Sequence, residues 1–153
     1  MTAYLGIGSN LGNRKALLEQ AVALIAEYIG KVIACSSFIE TKPCGFDSEH
    51  LFLNGVICVD TPLTPHKLLH QTQRIERRMG RLHKTGSHGY SDRPIDIDIL
   101  LYGNRVIHSP HLTVPHPLML RRDFVLKPLL DIAPDITLPP TNERIADLVN
   151  KKK

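Results

Sequence analysis

Two apolar periods organise this chain. Ala3, Leu5 and Ile7 alternate with other residues, the period of a strand, and the run GIGSNLGNR begins before that strand ends. From Arg14 to Ile29 the spacing becomes helical. Leu17, Leu18, Ala21, Leu24, Ile25 and Tyr28 share a face, Ser9 or Asn10 is placed to cap its start, and Gly30 stands where a C-cap glycine belongs. Val32 to Glu40 is β-branched and predicts one strand, and after TKPCGFDSEH the run LFLNGVICV predicts another. Thr64 and Pro65 supply an N-cap and a first-turn proline to a second helix. That helix turns Leu68, Leu69, Ile75 and Met79 inward, carries Gln73, Glu76 and Arg77 on its other face, and ends at Gly80.

The segment Leu82 to Asp92 has no apolar period, exceeds the usual connection length and predicts a lid. A sharply alternating strand, Ile95-Asp96-Ile97-Asp98-Ile99, comes next. A turn at Gly103-Asn104, a short strand to Ile107, the segment HLTVPHPLMLRRDF and helical pieces complete the chain. No repeat, low-complexity stretch or linker divides it, so residues 1–153 read as a single unit. The order β-α-β-β-α-β predicts an α+β, ferredoxin-like split βαβ sheet with helices on one face. The added C-terminal elements would cover more of that sheet.

Composition narrows the class. A chain of 153 residues with 42% hydrophobic and 22% charged residues can bury a sizeable core without disulfides or a structural metal. No apolar run approaches the length of a membrane span, and the N-terminus lacks a signal-peptide pattern, so a cytoplasmic protein is expected. Cys35, Cys44 and Cys58 are odd in number and form no CxxC pair, which argues against a disulfide framework or a zinc site. The formal charge of +4 is modest, and much of the basic charge falls between Arg74 and Arg122 or in the tail, an arrangement suited to an anionic ligand. With 5% aromatics, no tryptophan and no recognisable nucleic-acid motif, nucleic acid is not an expected partner.

The acidic strand carries the sharpest chemical signal. Its isoleucines face one side, and Asp96 and Asp98 share the other with Cα atoms roughly 6.5 Å apart, close enough to repel unless a cation lies between them. Two carboxylates on a rigid element can hold divalent ions at the spacing of two-metal phosphoryl chemistry. A solvated strand face with two unremarkable acids is the alternative reading of the same pattern.

Taken in order, several short runs resemble the 6-hydroxymethyl-7,8-dihydropterin pyrophosphokinase family: GIGSNLG at 6–12, ETKPCG at 40–45, FLNGV at 52–56, QRIERRMGR at 73–81, RPIDIDILLYG at 93–103 and LTVPHP at 112–117. The resemblance implies transfer of pyrophosphate from ATP to the pterin hydroxymethyl group, releasing AMP in folate biosynthesis, with two Mg²⁺ ions on Asp96 and Asp98. It implies nucleotide contacts from Gln73, Arg81, His83, Arg93, Ile99, His111, Thr113, His116 and Arg122. Arg81, Arg93 and Lys84 would stabilise the transferring group. It also implies a pterin pocket of Thr41, Pro43, Cys44, Phe52, Asn54 and Phe124, in which the Asn54 amide pairs with the ring edge and the two phenylalanines clasp its faces. No obligate protein partner is implied.

The chain departs from the family pattern at Phe52, where tyrosine is common, and at His111, where arginine is common. In the 82–92 segment His83 and Lys84 stand where two basic residues are expected, and Tyr90 stands where tryptophan can occur. Two other classes remain open at this point. A Mg-dependent nucleotidyltransferase is suggested by Gly8-Ser9 together with the Asp pair, and a basic RNA-binding module by the arginines.

Overall fold

The computed structural model describes residues 1–42, 51–80 and 94–151. The alternation of the first strand is realised in β1 (Thr2–Ser9), which lies between β4 (Phe52–Asp60) and β5 (Asp96–Tyr102) and is antiparallel to both. β2 (Lys31–Cys35) and β3 (Ile39–Thr41) both pair with β4. Among the described residues the sheet order is β2-β4-β1-β5, with β3 also on β4, and α1 (Arg14–Tyr28) and α2 (Pro65–Arg78) form the crossovers. This is the expected split βαβ arrangement.

Ala3, Leu5 and Ile7 of β1, Ile57 and Val59 of β4, and Ile95 with Ile97 and Ile99 of the acidic run pack in one cluster against Leu18, Ala21 and Ile25 of α1 and Leu68 and Ile75 of α2. Fully burying a side chain of this size stabilises by roughly 1.5–3 kcal/mol, so three isoleucines fix the acidic strand from behind. The opposite sheet face meets the C-terminal elements: a 3₁₀ turn (Met119–Arg121), α3 (Asp123–Ile132) and α4 (Ile145–Lys151). There Val56, Leu100, Leu101, Met119, Val125, Leu126, Leu129 and Ile145 form a second cluster. A register shift between Tyr4 and Leu5 lets the adjacent Leu100 and Leu101 both join it. Between the main elements lie two short hairpins, β6 (Ile107–His108) with β7 (Thr113–Val114), and β8 (Thr137–Leu138) with β9 (Glu143–Arg144). No helix among the described residues is long and apolar enough to cross a membrane.

Four local expectations change. The single strand expected over Val32 to Glu40 is two strands. The Ser36 N–H still donates to the Val56 carbonyl at 3.0 Å, but the Ser36 hydroxyl accepts the Val56 N–H at 2.9 Å and donates to the Ser37 carbonyl at 2.9 Å, so a side chain takes over one of the two ladder bonds at the break. Helix α1 is capped by Asn13, whose side chain accepts from the Ala16 N–H at 3.2 Å, rather than by Ser9 or Asn10, which are buried. Gly30 follows α1 without a left-handed φ; a Cβ there would collide with the Asp60 carbonyl, so close approach is what calls for glycine. Glu76, expected on the polar face of α2, is 3% exposed.

Candidate active site

The apolar C-terminal cluster covers only part of its sheet face. At the uncovered end, Gly6, Ile7, Gly8, Asn54, Gly55, Asp96, Asp98, Phe124 and Val125 line a shallow recess that opens to solvent. Its floor comes from strand pairing: Gly8 stands between Asn54 on β4 and Asp96 on β5, and Gly6 stands opposite Asp98. Side chains at positions 6 and 8 would project into the same face as the carboxylates. Their absence is what leaves the space.

Asn54 is 6% exposed, and its Nδ2 donates to Thr41 Oγ1 at 2.6 Å. A Cβ at Gly8 would lie 2.6 Å from Asn54 Oδ1, so glycine is needed for the asparagine to sit flat on β1. Phe52 is buried two residues before Asn54, and its ring edge is also within contact distance of that Cβ. Phe124, second residue of α3, reaches the recess from above, and the Arg122 guanidinium lies over its ring at 5.5 Å. Thr41, Phe52, Asn54 and Phe124, assigned together from the resemblance, are thus neighbours around one end of the sheet.

Asp96 and Asp98 are partly exposed on the recess side, while Ile95, Ile97 and Ile99 are buried on the other. Between the two acids the Ile97 N–H donates to Glu76 Oε2 at 2.9 Å. That bond satisfies a backbone donor on the edge strand and ties the acidic run to α2, a role the sequence reading missed. Ile99 is 5% exposed and its side chain belongs to the core, so any ligand contact from this position falls to its backbone.

Both α2, which carries the half-buried Gln73, and β7, which carries Thr113, pack against β5. The His116 N–H donates to the Leu100 carbonyl at 3.0 Å, and its ring Nδ1 accepts the Leu118 N–H at 3.2 Å. An accepting Nδ1 places the proton of the neutral ring on Nε2, making that nitrogen a donor. Gln73, Thr113 and His116 therefore come from elements gathered beside the acidic strand, and none of them lines the recess itself. His111 is exposed at the β6–β7 turn. Pro43, Cys44, Arg81, His83, Lys84 and Arg93, with the rest of the 82–92 segment, lie outside the described residues.

Among the described residues no group of three or more His, Cys, Asp or Glu side chains is placed to hold a metal. Two carboxylates on one strand do fit magnesium, which takes oxygen ligands, keeps several waters and is commonly held by one or two carboxylates plus substrate phosphates. The all-oxygen donor set and the open space above it agree with that ion and disfavour zinc.

A split βαβ sheet with paired strand carboxylates beside a glycine-floored recess suits a phosphoryl-handling enzyme, and comparison with known proteins supplies the family. The sequence profile of the 7,8-dihydro-6-hydroxymethylpterin-pyrophosphokinase (HPPK) family matches residues 4–134, and the chain belongs to that family. It is 48% identical over 132 residues to the 2-amino-4-hydroxy-6-hydroxymethyldihydropteridine pyrophosphokinase of Porphyromonas gingivalis, covering 86% of this chain and 90% of the relative. To the enzyme of the same name from Haemophilus influenzae it is 38% identical over 152 residues, covering 99% and 92%. Crystal structures of HPPK-DHPS chains share the fold. One in complex with substrates superposes with a TM-score of 0.77 at 18% identity, and one from Plasmodium falciparum with pteroate at 0.79 and 20%. The alignments cover 99% of this chain but 43% and 42% of those longer chains.

Proposed function

We propose that this protein, working as one unit over residues 1–153, transfers the pyrophosphoryl group of ATP to the hydroxymethyl group of 6-hydroxymethyl-7,8-dihydropterin and releases AMP, a step of folate biosynthesis. The observation that carries this reading is the placement of two carboxylates and one buried asparagine amide around a recess floored by Gly6 and Gly8, in a chain of this family. In the proposed reaction the hydroxymethyl oxygen forms a bond to the β-phosphorus. The bond from that phosphorus to the α–β bridging oxygen breaks, AMP leaves, and the hydroxyl proton passes to solvent.

Asp96 and Asp98 would hold two magnesium ions, which when bound offset the charge of the triphosphate. The chain's own residues bind and orient. Asn54 is fixed by its bond to Thr41 and presents its remaining amide valences to a flat ring with adjacent donors and acceptors. Phe52 and Phe124 supply aromatic surface to such a ring. Gln73, the Ile99 backbone, Thr113 and the His116 Nε2–H would receive the nucleotide, with Arg122 and His111 nearer the phosphates. Arg81, Lys84 and Arg93 are assigned on the family resemblance to charge stabilisation during transfer, and His83 to the nucleotide. A cytoplasmic setting completes the proposal.

Purified protein incubated with ATP, Mg²⁺ and the reduced pterin alcohol tests it, with nucleotide products separated. AMP should form only when the pterin is present. Release of inorganic pyrophosphate with the AMP moiety left on an acceptor would overturn the reading in favour of nucleotidyl transfer.

A further inference from the structure

Arg14, the first residue of α1, reaches across to the β3–β4 pair and grips it at two points. Its Nη1 donates to the Leu51 carbonyl at 2.9 Å and its Nη2 to Glu40 Oε1 at 3.2 Å. The two acceptors flank the last registered pair of those strands, Thr41 with Phe52. Alternation then sets the geometry. Glu40 is paired with Leu53, which packs on the α1 side, whereas Thr41 is paired with Phe52 and bonds Asn54 on the recess side. The arginine therefore holds from behind the end of the hairpin whose front carries Thr41, Phe52 and Asn54.

We infer that Arg14 is a positioning residue for the pterin wall: its guanidinium fork fixes the Thr41–Phe52 end of the β3–β4 hairpin, and through Thr41 the amide plane of Asn54. This rests on the assignment of that wall to the pterin. The grip is ill suited to global stabilisation, because the Glu40 carboxylate is 55% exposed and exposed ion pairs contribute little. It is well suited to preventing a three-residue strand from fraying at its end. Asn54 has one donor-bearing nitrogen committed to Thr41, so displacement of Thr41 by a fraction of an ångström re-aims the amide. The planar fork also makes lysine a poor substitute, since one ammonium cannot serve the carbonyl and the carboxylate with the same geometry.

The test uses Arg14→Ala, Arg14→Lys, Glu40→Gln, the Arg14→Ala/Glu40→Gln double variant and, as the control on the pterin assignment, Asn54→Ala. Calorimetry measures the pterin alcohol in the presence of a saturating nonreactive ATP analogue, and the analogue alone. Arg14→Ala is expected to weaken pterin binding about fivefold to tenfold, the scale of one or two hydrogen bonds, with analogue affinity and kcat at saturating pterin within about twofold. Arg14→Lys should fall between the parent and Arg14→Ala. Glu40→Gln should lose less, because the Leu51 contact survives, and the double variant should be no worse than Arg14→Ala alone. Parental pterin affinity in Arg14→Ala, or equal loss for both ligands, overturns the positioning role. If Asn54→Ala keeps parental pterin affinity, the pterin assignment fails and the inference with it. If Asn54→Ala loses that affinity while Arg14→Ala does not, only the clamp is wrong.

Discussion

Replacing Gly8 with alanine perturbs the recess at its floor. The residue lies in an extended strand without a left-handed φ, so alanine suits the backbone, and a strand interior gains about 0.5–1 kcal/mol when glycine is replaced. The new methyl would sit 2.6 Å from Asn54 Oδ1, 3.5 Å from the Phe52 ring and 3.7 Å from Asn54 Cγ. Asn54 must rotate, and rotation breaks its 2.6 Å bond to Thr41 inside a site where the amide is 6% exposed. Losing a buried hydrogen bond and leaving a partner unsatisfied costs about 1–3 kcal/mol, so the net destabilisation is roughly 0–2.5 kcal/mol and the fold survives. The pterin should lose more. An asparagine turned out of plane forfeits up to two neutral hydrogen bonds to the ring edge, about 1–3 kcal/mol, or roughly 5- to 150-fold in Kd. Calorimetric titration of the pterin alcohol and of a nonreactive ATP analogue separates the effects, with nucleotide affinity expected to stay within about threefold. Gly6→Ala is the internal control, because the nearest atoms to a methyl there belong to the Leu100 side chain, at an ordinary contact distance of 3.6 Å or more, and it should disturb pterin binding less. Parental pterin affinity in Gly8→Ala, or an equal loss in Gly6→Ala, would refute the reasoning.

The remaining expectations concern the walls and the sheet. Glu76→Ala removes the acceptor of the buried Ile97 N–H and should cost about 1–3 kcal/mol in urea unfolding, whereas Glu76→Gln, which keeps a carbonyl oxygen, should cost less; equal loss in both would show that the carboxylate charge matters more than the acceptor. Phe124→Ala should weaken pterin binding by about 1–3 kcal/mol with nucleotide affinity nearly unchanged, and a loss confined to the nucleotide would move the ring out of the pterin wall. Burial, reinforced by its bond to Cys58, pushes the Tyr4 hydroxyl up to about 12 from 10.0. The folded state thus keeps a proton that the unfolded chain releases first, and stability present below pH 10 should decline between pH 10 and 12. Tyr4→Phe should flatten that decline in alkaline unfolding curves, and an unchanged slope would contradict it.

Local pattern carried much of the fold. Period two in Ala3, Leu5, Ile7 and in Ile95, Ile97, Ile99 marked two buried strand faces, and helical spacing located α1 and α2 to within a few residues, because each of these signals is set by neighbours in sequence. The misreadings arose where distant chain segments supply the reason. Glu76 is polar and was placed outward by polarity, but an edge-strand N–H, supplied by Ile97 twenty-one residues later, draws it inside. Gly30 has the position of a helix cap, yet the contact that requires it comes from Asp60. The recess floor was invisible for the same cause: Gly6 and Gly8 matter because Asn54, Asp96 and Asp98 are their cross-strand neighbours. Alternation opposite Ile7 was the available signal, since glycines on the outward face of a central strand leave space only when something is to be held there. Asp96 and Asp98 stood out by alternation and again, with Asn54, in the family motifs; Phe124 was assigned from the resemblance outside those motifs, and Arg14 emerged from geometry alone.

The most direct measurement is a single-turnover quench at saturating ATP, Mg²⁺ and pterin alcohol, comparing the parent with Asp96→Asn and Asp98→Asn. Each variant keeps the size of its side chain and the buried isoleucines behind it, so far-ultraviolet circular dichroism and thermal unfolding should stay near parental. With the paired carboxylates holding the charge-neutralising ions, AMP formation should slow by at least about 10³ in either variant, roughly 4 kcal/mol of transition-state stabilisation. AMP appearing at the parental rate in either folded variant would contradict the assignment of this strand to catalysis.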